Sequence, residues 1–180
     1  YAQDPDGWPS HWAAQTDTPL ARLLHEQEPA LRALVTRGPA LDLLSQTALT
    51  MPMLARSMAT EVGFCRQPHW QGQHPDTGPW CRAADPVRRR AFTAWARLVA
   101  RVVEVLRLSL PQGQYWLSHG ACSLAPGEGL AWTEMARGLL VHRVQLSPGD
   151  VDDAQACVLD WQVLAPTEWN GHPAGVLAAA

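Results

Sequence analysis

The sequence predicts an α+β fold, with a helical N-terminal two-thirds packed on a small antiparallel β-sheet or hairpin. Three observations carry that expectation. Apolar residues recur three or four apart as far as Ser109, the spacing of helices that bury one face. From Gln112 onward the pattern changes to short alternating or apolar runs bounded by turn residues. The last two runs flank Ser147-Pro148-Gly149-Asp150, whose composition suits a chain reversal. With 180 residues the chain reads as one domain over 1–180, large enough to bury a core without covalent staples.

The elements follow in order. Residues 1–16 are rich in Pro, Gly and Trp and are predicted irregular. Asp17-Thr18-Pro19 supplies a capping residue and a first-turn proline. Leu20, Leu23, Leu24, Leu31, Leu34 and Val35 then keep helical spacing, with an interruption expected near Pro29 and a stop at Gly38-Pro39. A second helical stretch is predicted from about Pro39 to Val62, kinked or divided by Pro52. Residues 63–84 form a long loop, for which Trp70 and Trp80 are the natural anchors. Asp85-Pro86 is the predicted start of the clearest helix, running to about Ser109 with Phe92, Trp95, Leu98, Val99, Val102, Val103 and Leu106 as its buried stripe. Arg88-Arg89-Arg90 in its first turns read either as a solvated face or as a docking patch for an acidic partner. Strands are predicted at Tyr115–His119, Leu130–Met135, Gly138–Leu146 and Ala156–Leu164, with Ala125–Gly129 as a turn.

Composition narrows the function classes. A net charge of −3 argues against a nucleic-acid partner, because phosphate binding needs a basic face. All 14 basic residues are arginine, and no apolar run approaches the length of a membrane span. Cys65, Cys81, Cys122 and Cys157 stand singly, which predicts free thiols in the cytoplasm rather than a disulfide framework. The opening Tyr1–Gly7 is polar and turn-like rather than a secretory signal. The lack of an initiating Met and the cut-looking Val176–Ala180 predict a processed chain or a piece of a longer one.

Chemistry concentrates in two short words. Glu134-Met135-Ala136-Arg137-Gly138 opens one predicted strand, and Ala165-Pro166-Thr167-Glu168-Trp169-Asn170 closes the next. In an antiparallel pair those ends are neighbours, so Arg137 and Thr167 are expected to face one small volume. Arginine offers five fixed N–H donors and threonine a hydroxyl, while Ala136, Leu139, Leu164, Ala165 and Pro166 are small or apolar. Such a hollow suits a compact anion with peripheral lone pairs; the alternative is an arginine and a threonine that merely satisfy strand ends and turns. The long loop holds the chain's best metal-like set, Cys65, His69, His74 and Cys81, which matches no zinc-finger or ribbon spacing. The alternative is an ordered loop pinned by tryptophan. His119, His142 and His172 are isolated and read as hydrogen-bonded residues.

At these residues the chain resembles the large subunit of nickel–iron hydrogenases. That family carries a glycine-rich strand, then Glu-Ala-Pro-Arg-Gly-x-Leu-x-His, a hairpin, and Val-Pro-Thr/Ser-Thr-Trp-Asn. Here Gly127–Gly129 leads into Glu134–His142, and Ala165–Asn170 follows at a similar distance. Weaker matches lie at Thr18–Leu24 and at Leu54-Ala55-Arg56. The resemblance implies that Arg137, Pro166 and Thr167, with Glu134 and Ala136 beside them, surround an iron carrying cyanide and carbonyl ligands.

The departures are as informative. A catalytic large subunit holds its metals with two C-x-x-C words, and this sequence contains neither. Ala136 replaces the family's proline before the arginine, and Asn170-Gly171-His172-Pro173-Ala174-Gly175 replaces Asn-x-x-Pro-Arg-Asp. These changes resemble the HupK/HoxV-type hydrogenase maturation proteins. They imply a non-catalytic scaffold that transiently holds the Fe(CN)2(CO) unit and works with the hydrogenase large subunit and other maturation chaperones. Two alternatives remain open: a fragment of a catalytic large subunit whose cysteine words lie outside this chain, and a module that acts through protein contacts alone.

Overall fold

A computed structural model describes residues 8–36, 38–41, 50–82, 92–113, 116–147 and 156–178. Among these it shows an α+β arrangement of six helices and one four-stranded antiparallel sheet. The helices α1 (Trp8–Ala13), α2 (Pro19–Ala33), α3 (Thr50–Thr60), α4 (Pro79–Arg82) and α5 (Ala94–Leu108) come first. The strands β1 (His119–Ala125), β2 (Glu128–Met135), β3 (Gly138–Leu146) and β4 (Val158–Leu164) follow, and a last short helix α6 (Pro166–Asn170) closes the order.

The helical predictions hold in type and shift in their limits. Residues 1–16 were expected to be irregular, yet α1 forms there; Trp12 is only 3% exposed and packs edge-on to Trp95 at 5.5 Å. Tertiary burial of that ring holds a helix that local composition disfavours. In α2 the Thr18 hydroxyl accepts the Ala21 N–H at 3.2 Å, as the capping signal requires. Pro29 does not interrupt α2, which continues to Ala33 and carries an Arg32–Glu28 ion pair across the proline at 2.7 Å. The helix predicted from Pro39 does not start there, because Ala40 is bridged to Asp76 in parallel fashion. Its described part is α3, which runs unbroken from Thr50 through Pro52 to Thr60; Leu44 and Ala48 lie outside the described residues.

The helix expected from Asp85 is likewise shorter. Thr93 is extended (φ −127°, ψ 154°) and caps α5 through Ala96 N–H at 3.1 Å, so no continuous helix runs through it. Phe92 and Ala94, flanking Thr93, instead make backbone bonds to the segment after α2, with Thr36 N–H to Phe92 O at 2.8 Å and Ala94 N–H to Leu34 O at 3.0 Å. Arg88, Arg89 and Arg90 lie outside the described residues. The loop after α3 is ordered over 63–82 by buried Phe64, Pro68 and Trp80, and it contains α4.

The sheet runs in sequence order, β1-β2-β3-β4. The strand predicted at Tyr115–His119 is not found: Trp116–Ser118 form a turn, Tyr115 lies outside the described residues, and β1 instead runs from His119 to Ala125, a strand not predicted from the sequence. Across the ladder Gly120 faces Trp132, Trp132 faces Val141 and Val141 faces Leu164. Leu139, Val141 and Arg143 therefore share the buried face, whereas Val144 and Leu146 belong to the other one. Arg143 is tolerated inside because its Nε donates to Glu128 at 2.7 Å and its Nη1 to Asp160 at 2.8 Å. Met51, Leu54, Ala55 and Met58 of α3 cover this face together with Phe64 and Trp169, forming the main core. Trp12, Ala21, Leu24, Trp95, Val99 and Val103 make a second core between α1, α2 and α5. No helix among the described residues is long and apolar enough to cross a membrane.

Candidate functional site

The two polar words meet where β2 turns into β3. Met135 pairs with Gly138, leaving Ala136 and Arg137 as a two-residue hairpin turn. Val141 pairs with Leu164, so the end of β4 and the start of α6 arrive beside that turn. Asn170 makes the connection: its Nδ2 donates to Arg137 O at 3.0 Å and to Thr77 O at 3.1 Å, and its Oδ1 accepts Thr77 N–H at 2.9 Å. Thr77 Oγ1 in turn accepts the Leu139 N–H at 3.0 Å. This approach leaves no room at Gly138 (φ +129°), where a Cβ would run into Thr77 Cγ2. Gly78, also at φ +129°, adopts a backbone conformation that favours glycine beside Arg137 O, which a Cβ there would meet at 3.4 Å.

Below the turn lies a buried charge cluster. Arg82 of α4 pairs with Glu104 of α5 at 2.7 Å and with Glu134 of β2 at 3.3 Å, and its Nη2 also donates to Met135 O at 3.2 Å. Two carboxylates thus share one guanidinium. Burial pushes the Glu134 carboxyl above its ordinary value, and the Arg82 charge pulls it back down. Glu134 is therefore spent internally, holding the strand that precedes the turn.

The other predicted residues divide by exposure. Arg137 and Ala136 are exposed at the hairpin tip, and Thr167 is exposed in the first turn of α6. Pro166 is buried at the first position of α6, where it needs no hydrogen-bond donor. The Arg137 guanidinium makes no hydrogen bond or ion pair among the described residues. Backbone contact through Asn170 thus brings the two words together and leaves their donors facing outward. The cavity beside them is lined by Thr77 and Asn170, but by neither Arg137 nor Thr167.

Sequence comparison places this arrangement in a wider group. The chain is 38% identical over 98% of its length to the hydrogenase expression/formation protein HoxV of Cupriavidus necator, covering 47% of that protein. It is 34% identical over 80% of its length to HupK of Bradyrhizobium diazoefficiens, covering 40% of it. Against HupK of Rhizobium leguminosarum bv. viciae it is 36% identical over 64% of its length, covering 32% of that protein. The chain is a relative of the hydrogenase expression/formation proteins. It spans less than half the length of each of these three. No protein-family profile matches it, and no solved structure matches it.

In this relative of HoxV and HupK the metal-like set of the loop is not gathered. Cys81 is buried and donates its Sγ–H to Asp76 O at 2.8 Å, and burial pushes its thiol far up. Cys65 is half-buried elsewhere, its thiol raised by burial and by Asp160. His69 pairs with Glu61 at 3.0 Å, and His74 stacks on His172 with centroids 3.9 Å apart. Among the described residues no group of three or more His, Cys, Asp or Glu is placed to hold a metal ion, and Cys65 and Cys81 are in no disulfide.

Three residues that organise the site were not singled out from sequence: Thr77, Gly78 and Asn170. Asn170 closes a recognised word and Gly78 follows a loop threonine. Their partners lie 93 and 33 residues away for Asn170, so no local pattern reports them.

Proposed function

We propose that the chain serves nickel–iron hydrogenase maturation as a non-catalytic scaffold. In this reading it transiently holds or passes on the Fe(CN)2(CO) unit in the cytoplasm, with the hydrogenase large subunit and other maturation chaperones as partners. The carrying observation is the Asn170 bridge, which joins two words resembling those of a hydrogenase large subunit in a chain similar to named formation proteins. Arg137 is the fixed cation and Thr167 the hydroxyl donor for the cyanide nitrogens of the cargo. Any thiolate ligation of the iron comes from outside the two words, since no cysteine stands in either.

The test is infrared spectroscopy on protein purified anaerobically from cells that also produce the maturation machinery. Bands of iron-bound cyanide and carbonyl are expected, and Arg137→Ala should remove them without lowering the melting temperature. Their absence from the parent protein would count decisively against cargo binding.

A second reading, a module acting through protein contacts alone, is favoured by one observation. Glu134, Gly138 and Asn170 are all spent on internal contacts. On that reading Arg137→Ala leaves hydrogenase maturation unchanged in cells.

A further inference from the structure

Behind the Asn170 bridge lies a cavity of about 150 Å³ between α5, the segment before α3, the Asp76–Trp80 loop and the turn after α6. Its polar lining comes from Thr36, Asp76, Thr77, Arg97, Arg101 and Asn170. Pro79, Trp80, Val176 and Leu177 give it apolar walls.

Arg97 is held there on three sides. Its Nε donates to Asp76 Oδ2 at 2.8 Å, its Nη1 donates to the Thr36 hydroxyl, and its guanidinium carbon lies over the Trp80 ring, 4.3 Å from the centroid. The remaining amino group, Nη2, is buried and has no hydrogen-bond partner among the described residues. A guanidinium N–H withdrawn from water and left unmatched is costly, and an anionic acceptor removes that cost. Arg101, one helical turn along α5, lines the same cavity. Two arginines face one aspartate, so the lining carries one surplus positive charge.

We propose that this cavity is a binding site for a carboxylate on a short hydrocarbon stem, with Arg97 Nη2 and Arg101 as its donors. Planar oxygens match the two guanidinium groups, and the stem lies against Trp80, Val176 and Leu177. The volume admits only a few heavy atoms, which excludes nucleotides and sugars. The same chemistry is offered by a small free acid or by an aspartate or glutamate side chain of a partner protein. The site is separate from Arg137 and Thr167 and does not depend on the cargo reading.

The experiment is an NMR titration of the arginine side-chain N–H signals in the purified chain at constant ionic strength. Acetate, the blocked peptide Gly-Asp-Gly and its Gly-Asn-Gly analogue are added in turn against chloride. Acetate should shift the Arg97 and Arg101 signals saturably, and the asparagine peptide should not. Arg101→Gln keeps every contact of Arg97 and should weaken acetate tenfold or more, whereas Arg137→Ala should leave it unchanged. Tighter binding of the aspartate peptide than of acetate assigns the site to a partner's side chain; binding of acetate alone assigns it to a small acid. No saturable shift with either, or equal affinity in Arg101→Gln, overturns the proposal.

Discussion

Asn170 uses its whole side-chain amide on three hydrogen bonds, two to Thr77 and one to Arg137. Replacing it with alanine leaves a backbone N–H and two carbonyls without these partners, so Asn170→Ala should cost about 2–3 kcal/mol in urea unfolding. Asn170→Asp should rescue little, because a carboxylate keeps the Thr77 N–H but faces both carbonyls. Gly138→Ala forces a Cβ into Thr77 at a backbone angle that side chains rarely adopt. A loss of about 2–3 kcal/mol is expected, given the combined clash and strain. Thr77→Ser keeps the hydroxyl and removes the colliding methyl, so the double variant should recover part of that loss. Full additivity of the two changes would show that the clash is not the cause.

Between elements, two titrating contacts have opposite signs. Glu134 lies between β2 and the α4–α5 pair, and its carboxyl sits above the ordinary 4.5 because burial outweighs Arg82. The folded state then binds more protons than the unfolded state above that value, so this group loses stability as pH rises through its folded range. Glu134→Gln should flatten the decline in a stability–pH profile taken upward from about pH 4.5, the ordinary glutamate range. An unchanged profile would remove Glu134 as its source. His172 behaves conversely. Burial and then the neighbouring His74 and His69 hold its pKa below the ordinary 6.5, and its Nδ1 accepts the Ala174 N–H at 3.0 Å. The contribution of this neutral imidazole is complete above 6.5 and is lost as pH falls through the folded value. Protection factors for amide exchange at Ala174 and Gly175, corrected for the intrinsic pH dependence of exchange, should therefore fall on acidification, and His172→Phe should abolish that fall.

Among the described residues, the two larger apolar cores have a polar seam between them. The sheet and α3 close around Trp169, which is 1% exposed and meets Phe64 edge-on at 6.4 Å. Trp169→Ala should cost about 3–5 kcal/mol, the range for removing a buried aromatic ring. Trp161, 62% exposed on the outer face of β4, serves as the contrast, and Trp161→Ala should change stability by no more than about 0.5 kcal/mol. The seam between the cores runs through Asp76–Arg97 and Glu104–Arg82–Glu134, all contributed by the loop, α5 and β2.

The fold class and the strand-to-strand logic were legible because both rest on period and turn chemistry, which are local. Hence the Thr18 cap and the turn before β2 follow from the sequence, whereas Arg137 and Thr167 share no hollow, since the cavity beside the two words is lined by neither. The start of α5 was misplaced because Thr93 is bound to the segment before α3, a choice that no helical period records. Arg143 stands between apolar residues in the sequence, yet the ladder puts it on the buried face with Glu128 and Asp160 for company. Sequence by itself determined which residues could carry chemistry: an arginine and a threonine in two recognisable words, without paired cysteine words to hold a metal. Only the tertiary structure decided which of them are spent on holding the fold and which face outward. Hydrogen bonds such as that of Asn170 to Arg137 join distant parts of the chain, and their geometry exists only once those parts have packed.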